Sequence, residues 1–141
     1  MKSVKIQDAS GWSIFIFGAL ALLLGLFGLL FPNDLLALLG FTQLEPAQRG
    51  PGDYTLLFVI ASSMASINVG AYYVLAALND VKKFFLWTVP FRSLTFCVFT
   101  GAVLLGLAPG PFVGIGVWEL TGAVATGTAL YFENRASKGK A

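Results

Sequence analysis

Four long apolar stretches, at about residues 12–31, 54–78, 84–107 and 111–132, alternate with short polar breaks along the chain. Each approaches or exceeds the roughly 20 residues a helix needs to cross a hydrocarbon core about 30 Å thick, at about 1.5 Å rise per residue. Pro32, Asn33 and Asp34 end the first stretch, because proline cannot continue the hydrogen-bond ladder and Asn and Asp favour caps. Asn79 to Lys83 forms a short polar turn, and Ala108-Pro109-Gly110-Pro111 a tight one. The connection over residues 32–53 is the long one. Within it residues 35–39 follow a capping residue and precede Gly40, which predicts one or two helical turns lying at the interface over the outer end of the bundle. The pattern predicts an all-α fold: one integral membrane domain over residues 1–141, a four-transmembrane-helix bundle running up and down in antiparallel order. The first apolar run is longer than a signal-peptide core of roughly 7–15 residues, so it is read as a retained span.

Charge sets the orientation. Lys2, Lys5, Lys82, Lys83, Arg135, Lys138 and Lys140 fall on one side of this arrangement and Arg49 on the other. The positive-inside rule places the N and C termini and the middle turn in the cytoplasm, in an endoplasmic reticulum or bacterial inner membrane. Trp12, Trp87 and Tyr131 then lie near the inner interface and Tyr54 near the outer one, as an aromatic belt requires. Composition agrees: 57% of residues are hydrophobic and 11% charged, against about 25% charged in a soluble domain. A net charge of +2, thinly spread, does not make a nucleic-acid surface. Histidine is absent and Cys97 is the single cysteine, which removes the usual metal ligand and any internal disulfide. No metal and no cofactor is expected, and Cys97 is read as a small core residue.

The chemistry available is therefore the polar set inside the spans. An ionisable residue there is costly unless paired or wet, which makes Arg92 and Glu119 the leading candidates. Folding the last hairpin about Pro109 sets Glu119 level with Phe99, roughly 10 Å along the axis from Arg92. Helical side chains also lean toward their own N-termini, which carries the two groups apart. The expectation is two polar levels without a direct ion pair. At the inner level Arg92 meets Asn68 and Tyr72, members of a stripe with Ala61 and Ala65 that faces inward. At the outer level Glu119 meets Ser62, Ser63 and Thr100. Gly70, Gly101 and Gly122 border the space between, where an amphiphilic ligand would bridge the levels. Pro90 frees a carbonyl just before Arg92. The glycines of the first and fourth spans are read as packing positions.

The run Gly25-Leu-Phe-Gly-Leu-Leu-Phe-Pro-Asn-Asp-Leu-Leu-Ala-Leu-Leu-Gly40, with the small-residue-rich second span and Glu119 in the last, resembles small four-helix membrane proteins of the broad DoxX-like group. Many members of that group carry a basic residue in the first helix, and this chain has none there. In size and layout the chain is also similar to tetraspan tailoring proteins of lipophilic natural-product pathways, an architectural likeness alone. Three functions follow as expectations. The first is a membrane protein that binds a lipophilic ligand, or a partner protein or second copy of itself, through its intramembrane polar residues. The second is a membrane-embedded epoxide hydrolase, cyclase or isomerase, with Glu119 as acid or base and Arg92 and Tyr72 stabilising developing negative charge. The third is a proton-coupled transporter subunit with Glu119 as the relay.

Overall fold

The computed structural model describes residues 6–139, so Lys2, Lys5 and Lys140, which entered the orientation argument, lie outside the described residues. Among the described residues the chain is all-helical: α1 Ala9–Leu30, α2 Pro32–Leu38, α3 Thr55–Leu78, α4 Lys82–Leu104 and α5 Val113–Lys138, with single 3-10 turns at Pro46–Gln48 and Gly110–Phe112. Four of these helices are long and apolar enough to cross a membrane. Their outward faces carry side chains such as Leu23, Leu30, Phe58, Leu86, Phe91 and Phe132, all exposed, as a surface clothed in lipid should.

The helix ends follow from local chemistry. Asp8 caps α1, its carboxylate accepting from the Gly11 N–H at 2.8 Å. Pro32 stands in the first turn of α2, where its missing N–H costs nothing, so it opens the short helix as well as closing α1. That helix begins three residues before the stretch read from the sequence, with Phe31 and not Asn33 or Asp34 at its N-cap. Three helices finish in the same way. After α2, α3 and α4 a residue with positive φ (Gly40, Asp80 and Gly106) lets two successive N–H groups fold back onto the last-turn carbonyls. Asp80 holds this conformation without being glycine, at φ 51°.

Packing is led by α1. Its glycine face is pressed against α3: a Cβ at Gly18 would stand 2.7 Å from the Tyr73 Cβ, and one at Gly25 2.8 Å from the Ser63 carbonyl. Gly70 of α3 returns the contact against Gly18 and Leu22. Small residues at the crossing let the backbones approach, as lipid-facing helices require when burial of apolar surface gives no drive between them. On its other side α1 meets α5, and α5 packs along α4. Near the end where α1 and α4 begin, Ile14, Ala76, Ala77, Phe85 and Leu130 form a buried cluster. At the opposite end Gly40 rests on Pro111, and Phe112 stacks against Phe41 and Phe99 with ring centres 5.8 and 4.9 Å apart. The α2 segment is thereby folded over that end. Although α3 and α4 are consecutive, they barely touch along their lengths among the described residues. They meet beside their turn, where Tyr73 sets its ring edge-on to Phe84 at 5.5 Å.

The glycines divide by this packing. Gly25→Val, which must push the Ser63 backbone away, is expected to destabilise the protein by more than about 2 kcal/mol. Gly101→Ala, where a Cβ meets nothing within 4 Å, should stabilise it by about 0.5–1 kcal/mol. Thermal unfolding of both variants in detergent micelles measures the difference.

Candidate functional site

Arg92 and Glu119 form a direct ion pair. The Arg92 Nε donates to Glu119 Oε2 at 2.7 Å, with the Arg92 side chain 3% and the Glu119 side chain 25% exposed. This corrects the expectation of two separate polar levels. The error lies in the turn. Gly106 stops α4 at Leu104: the Leu107 N–H returns to Ala102 and the Gly106 N–H to Val103. The chain therefore reverses earlier than Pro109. Gly116 lies against Phe96 and Gly127 against Val89, which leaves Glu119 about three residues, roughly 4 Å, from the level of Arg92. An arginine side chain covers that offset.

The guanidinium lies beside two aromatic rings. Its Cζ lies 4.1 Å from the centre of the Phe17 ring and 5.7 Å from that of Tyr73. On the α5 side it fills the place where a Gly122 side chain would stand, so Gly122 is the floor under Arg92 and not the border of an empty space. The Nη1 group is buried and donates to nothing in the protein.

The other sequence candidates are distributed differently. Ala61, Ala65, Asn68 and Tyr72 do form one stripe, but all four are exposed, so the stripe faces outward and neither Asn68 nor Tyr72 is a partner of Arg92. The buried stripe of α3 is Ser63, Gly70 and Ala77, seven residues apart: Ser63 and Gly70 lie against the glycines of α1, and Ala77 belongs to the buried cluster with Ile14. Ser62 is exposed and bonds to its own helix at Val59. Ser63 is buried against Gly28. The hydroxyls of Ser63 and Thr100 are buried without a partner. The outer polar level predicted around Glu119 is therefore not assembled: the hydrogen bond Glu119 makes is to Arg92. Cys97, expected in the core, is exposed.

Tyr72 belongs to another feature. Between α3 and α4 lies a groove of about 320 Å³ lined by Val69, Tyr72, Tyr73, Phe84, Trp87, Thr88 and Phe91. It occupies the gap that the missing α3–α4 contact leaves. Thr88 at its edge is buried, its hydroxyl donating to the Phe85 carbonyl at 2.7 Å. Arg92 follows one helical turn beyond Thr88 on the same face of α4, and Tyr73 is shared between the groove and the guanidinium.

A second polar cluster ties the ends of three helices and was not read from the sequence. Lys82, at the start of α4, reaches Asp8, the Ser10 hydroxyl at 2.8 Å and Glu133 of α5 at 3.2 Å. Glu133 in turn accepts from the Ser10 N–H and hydroxyl, both at 2.8 Å. Burial alone would push the Asp8 carboxyl up, but the bonds from Lys82, the Gly11 N–H and Ser10 outweigh it and hold the group below its ordinary value. The signal available in the sequence was Asp8 standing directly before a charge-free helix; its partners in α4 and α5 are a matter of tertiary register. In the connection before α3, Arg49 pairs with Asp53 at 2.9 Å. The Asp53 carboxyl is held low chiefly by the Thr55 hydroxyl and N–H, with Arg49 adding to them.

Comparison with known proteins gives no match: no protein-family model, no curated protein and no solved structure aligns with the chain. Among the described residues no group of three or more acidic or cysteine side chains is placed to hold a metal ion.

Breaking the buried pair should separate charge from packing. Arg92→Met or Glu119→Leu alone leaves an uncompensated charge between helices and is expected to cost roughly 3–5 kcal/mol. The double variant removes both charges and should recover most of that loss. Chemical denaturation of the three proteins in the same micelle provides the comparison.

Proposed function

We propose that this protein is a four-span integral membrane protein that binds a lipophilic molecule in the groove between α3 and α4. In this reading the spans alternate in direction, and the N and C termini and the Lys82 turn are cytoplasmic. Lys82 and Lys83 open α4 and Arg135 and Lys138 stand in the last turns of α5, while Arg49 belongs to the connection between α2 and α3. Trp12, Trp87 and Tyr131, on the side rich in positive charge, and Tyr54, on the other, are all more than half exposed and suit the two interfaces.

The observation that carries the proposal is the groove itself. A closed bundle of four helices has four neighbouring contacts, and here the contact between α3 and α4 is replaced by an aromatic-lined space. In a membrane such a space is filled by something apolar, since water gains nothing there. Rings of Tyr72, Trp87 and Phe91 give flat apolar surface for a chain or ring system, and the Tyr and Thr hydroxyls supply the few polar points that orient a ligand. Binding is preferred to acid–base chemistry because Glu119 is already engaged with Arg92 and lies between packed helices.

A photoreactive alkyl probe in nanodiscs tests this. Labelling should concentrate on residues 69–73 and 84–91, and Trp87→Ala/Phe91→Ala should reduce capture at least about fivefold, in line with the loss of two aromatic contacts. Labels spread evenly over the outward faces of all four long helices would mean that the groove holds only bulk lipid.

A further inference from the structure

Near the groove lies a donor with nothing to donate to. Of the five N–H groups of a guanidinium, Arg92 gives its Nε to Glu119, and its Nη1 is buried without a partner. Buried polar groups in native structures are almost always bonded, so an idle donor on a side chain that is 3% exposed calls for an acceptor not supplied by this chain. The plane of the guanidinium is fixed between the Phe17 ring and the backbone of Gly122, which leaves its edge as the part able to engage another molecule. Its location supplies the route. Arg92 lies one turn past Thr88 on α4, and Tyr73, which lines the groove, has its ring centre 5.7 Å from Cζ.

Building on the groove as the binding site, we propose that its ligand is a lipophilic molecule headed by a neutral hydrogen-bond acceptor, a ketone, aldehyde or ester carbonyl, which accepts from Arg92 Nη1 when Tyr73 swings aside. The apolar body lies on Val69, Trp87 and Phe91. Charge selects the neutral head. Glu119 already balances Arg92, so a carboxylate head would set a second, unbalanced anion beside Glu119 inside the membrane, whereas a carbonyl adds a hydrogen bond and no charge. Gly122 is a positioning residue in this arrangement: any side chain there displaces the guanidinium.

The test uses the unmodified protein in nanodiscs and three competitors of equal chain length: a long-chain methyl ketone with an isotope-labelled carbonyl, the alkane and the fatty carboxylate. Each competes against the photoreactive alkyl probe, and the infrared carbonyl stretch of the bound ketone is read directly. The ketone should compete at least about tenfold better than either other compound, as one bond to a charged donor allows, and its carbonyl band should move to lower frequency than in protein-free nanodiscs. Arg92→Lys should lose the band shift and the preference, with the alkane binding as before. The comparison of competitors on the unmodified protein stands even where that variant does not fold. Equal competition by ketone and alkane with an unshifted band would overturn the assignment of the head group while leaving the groove a lipid-binding site. Strongest competition by the carboxylate would overturn the choice of a neutral head. Absence of localised probe capture would instead remove the groove reading on which the proposal rests.

Discussion

A guanidinium and a carboxylate sit inside two neighbouring helices whose surroundings are almost wholly apolar, and neither is tolerable there alone. Their mutual bond, Arg92 Nε to Glu119 Oε2 at 2.7 Å, is therefore the constraint around which the second half of the chain is set. It requires α5 to lie beside α4 at one register, and that register is what the early stop at Gly106 provides. It requires a neighbour for the flat face of the cation, and Phe17 of α1 supplies an aromatic ring at 4.1 Å. It requires a floor with no side chain, and Gly122 supplies that. Such a pair is weak support for stability in itself, because desolvation offsets much of the attraction. Its effect is on specificity, excluding the registers in which either charge would be left unpaired.

The open edge of the bundle follows from the same arrangement. α1 cannot approach both α3 and α4 equally: its glycine face is spent on α3, where Gly18, Gly25 and Gly70 bring the backbones into contact. α4 is drawn to α5 by the ion pair and by the small residues Gly116, Gly122 and Gly127. With α1 linking the two pairs through α5, α3 and α4 are left apart except near their turn, where Tyr73 meets Phe84. The result is a fissure closed at one end by an aromatic contact, with Tyr73 shared between it and the buried cation. Binding and polar recognition are proposed for that fissure because an apolar groove between long helices there lies close to a spare donor.

The four spans were legible because lipid leaves little choice: about 20 apolar residues between polar breaks can hardly do anything else. Their ends shifted by a few residues for local reasons, as when Pro32 opened α2 or Gly106 closed α4 before Leu107. Which face of α3 turns inward was not legible. Ala61, Ala65, Asn68 and Tyr72 and the buried set Ser63, Gly70 and Ala77 both repeat at helical spacing, and both contain small residues. The choice between them is made by α1, through a close approach that no pattern within α3 records. The ion pair was missed for a related reason. A difference of about four residues in apparent offset decides whether Arg92 and Glu119 touch, and that difference lies in the geometry of one turn. Tyr72 was singled out as an Arg92 partner and instead lines the groove, while Tyr73, its neighbour, is the tyrosine that faces the cation.

Magnetic resonance reads the contact between these two side chains directly. Protein labelled with ¹⁵N at arginine and ¹³C at the glutamate side chain, reconstituted in lipid, should show a strong dipolar coupling between the Arg92 Nε and the Glu119 carboxyl carbon, as expected at hydrogen-bond distance, which disappears in Glu119→Gln protein that carries the label on arginine and glutamate alone. A coupling absent from the unmodified protein in lipid would contradict the register of α4 against α5, and with it the position assigned to Arg92 beside Tyr73.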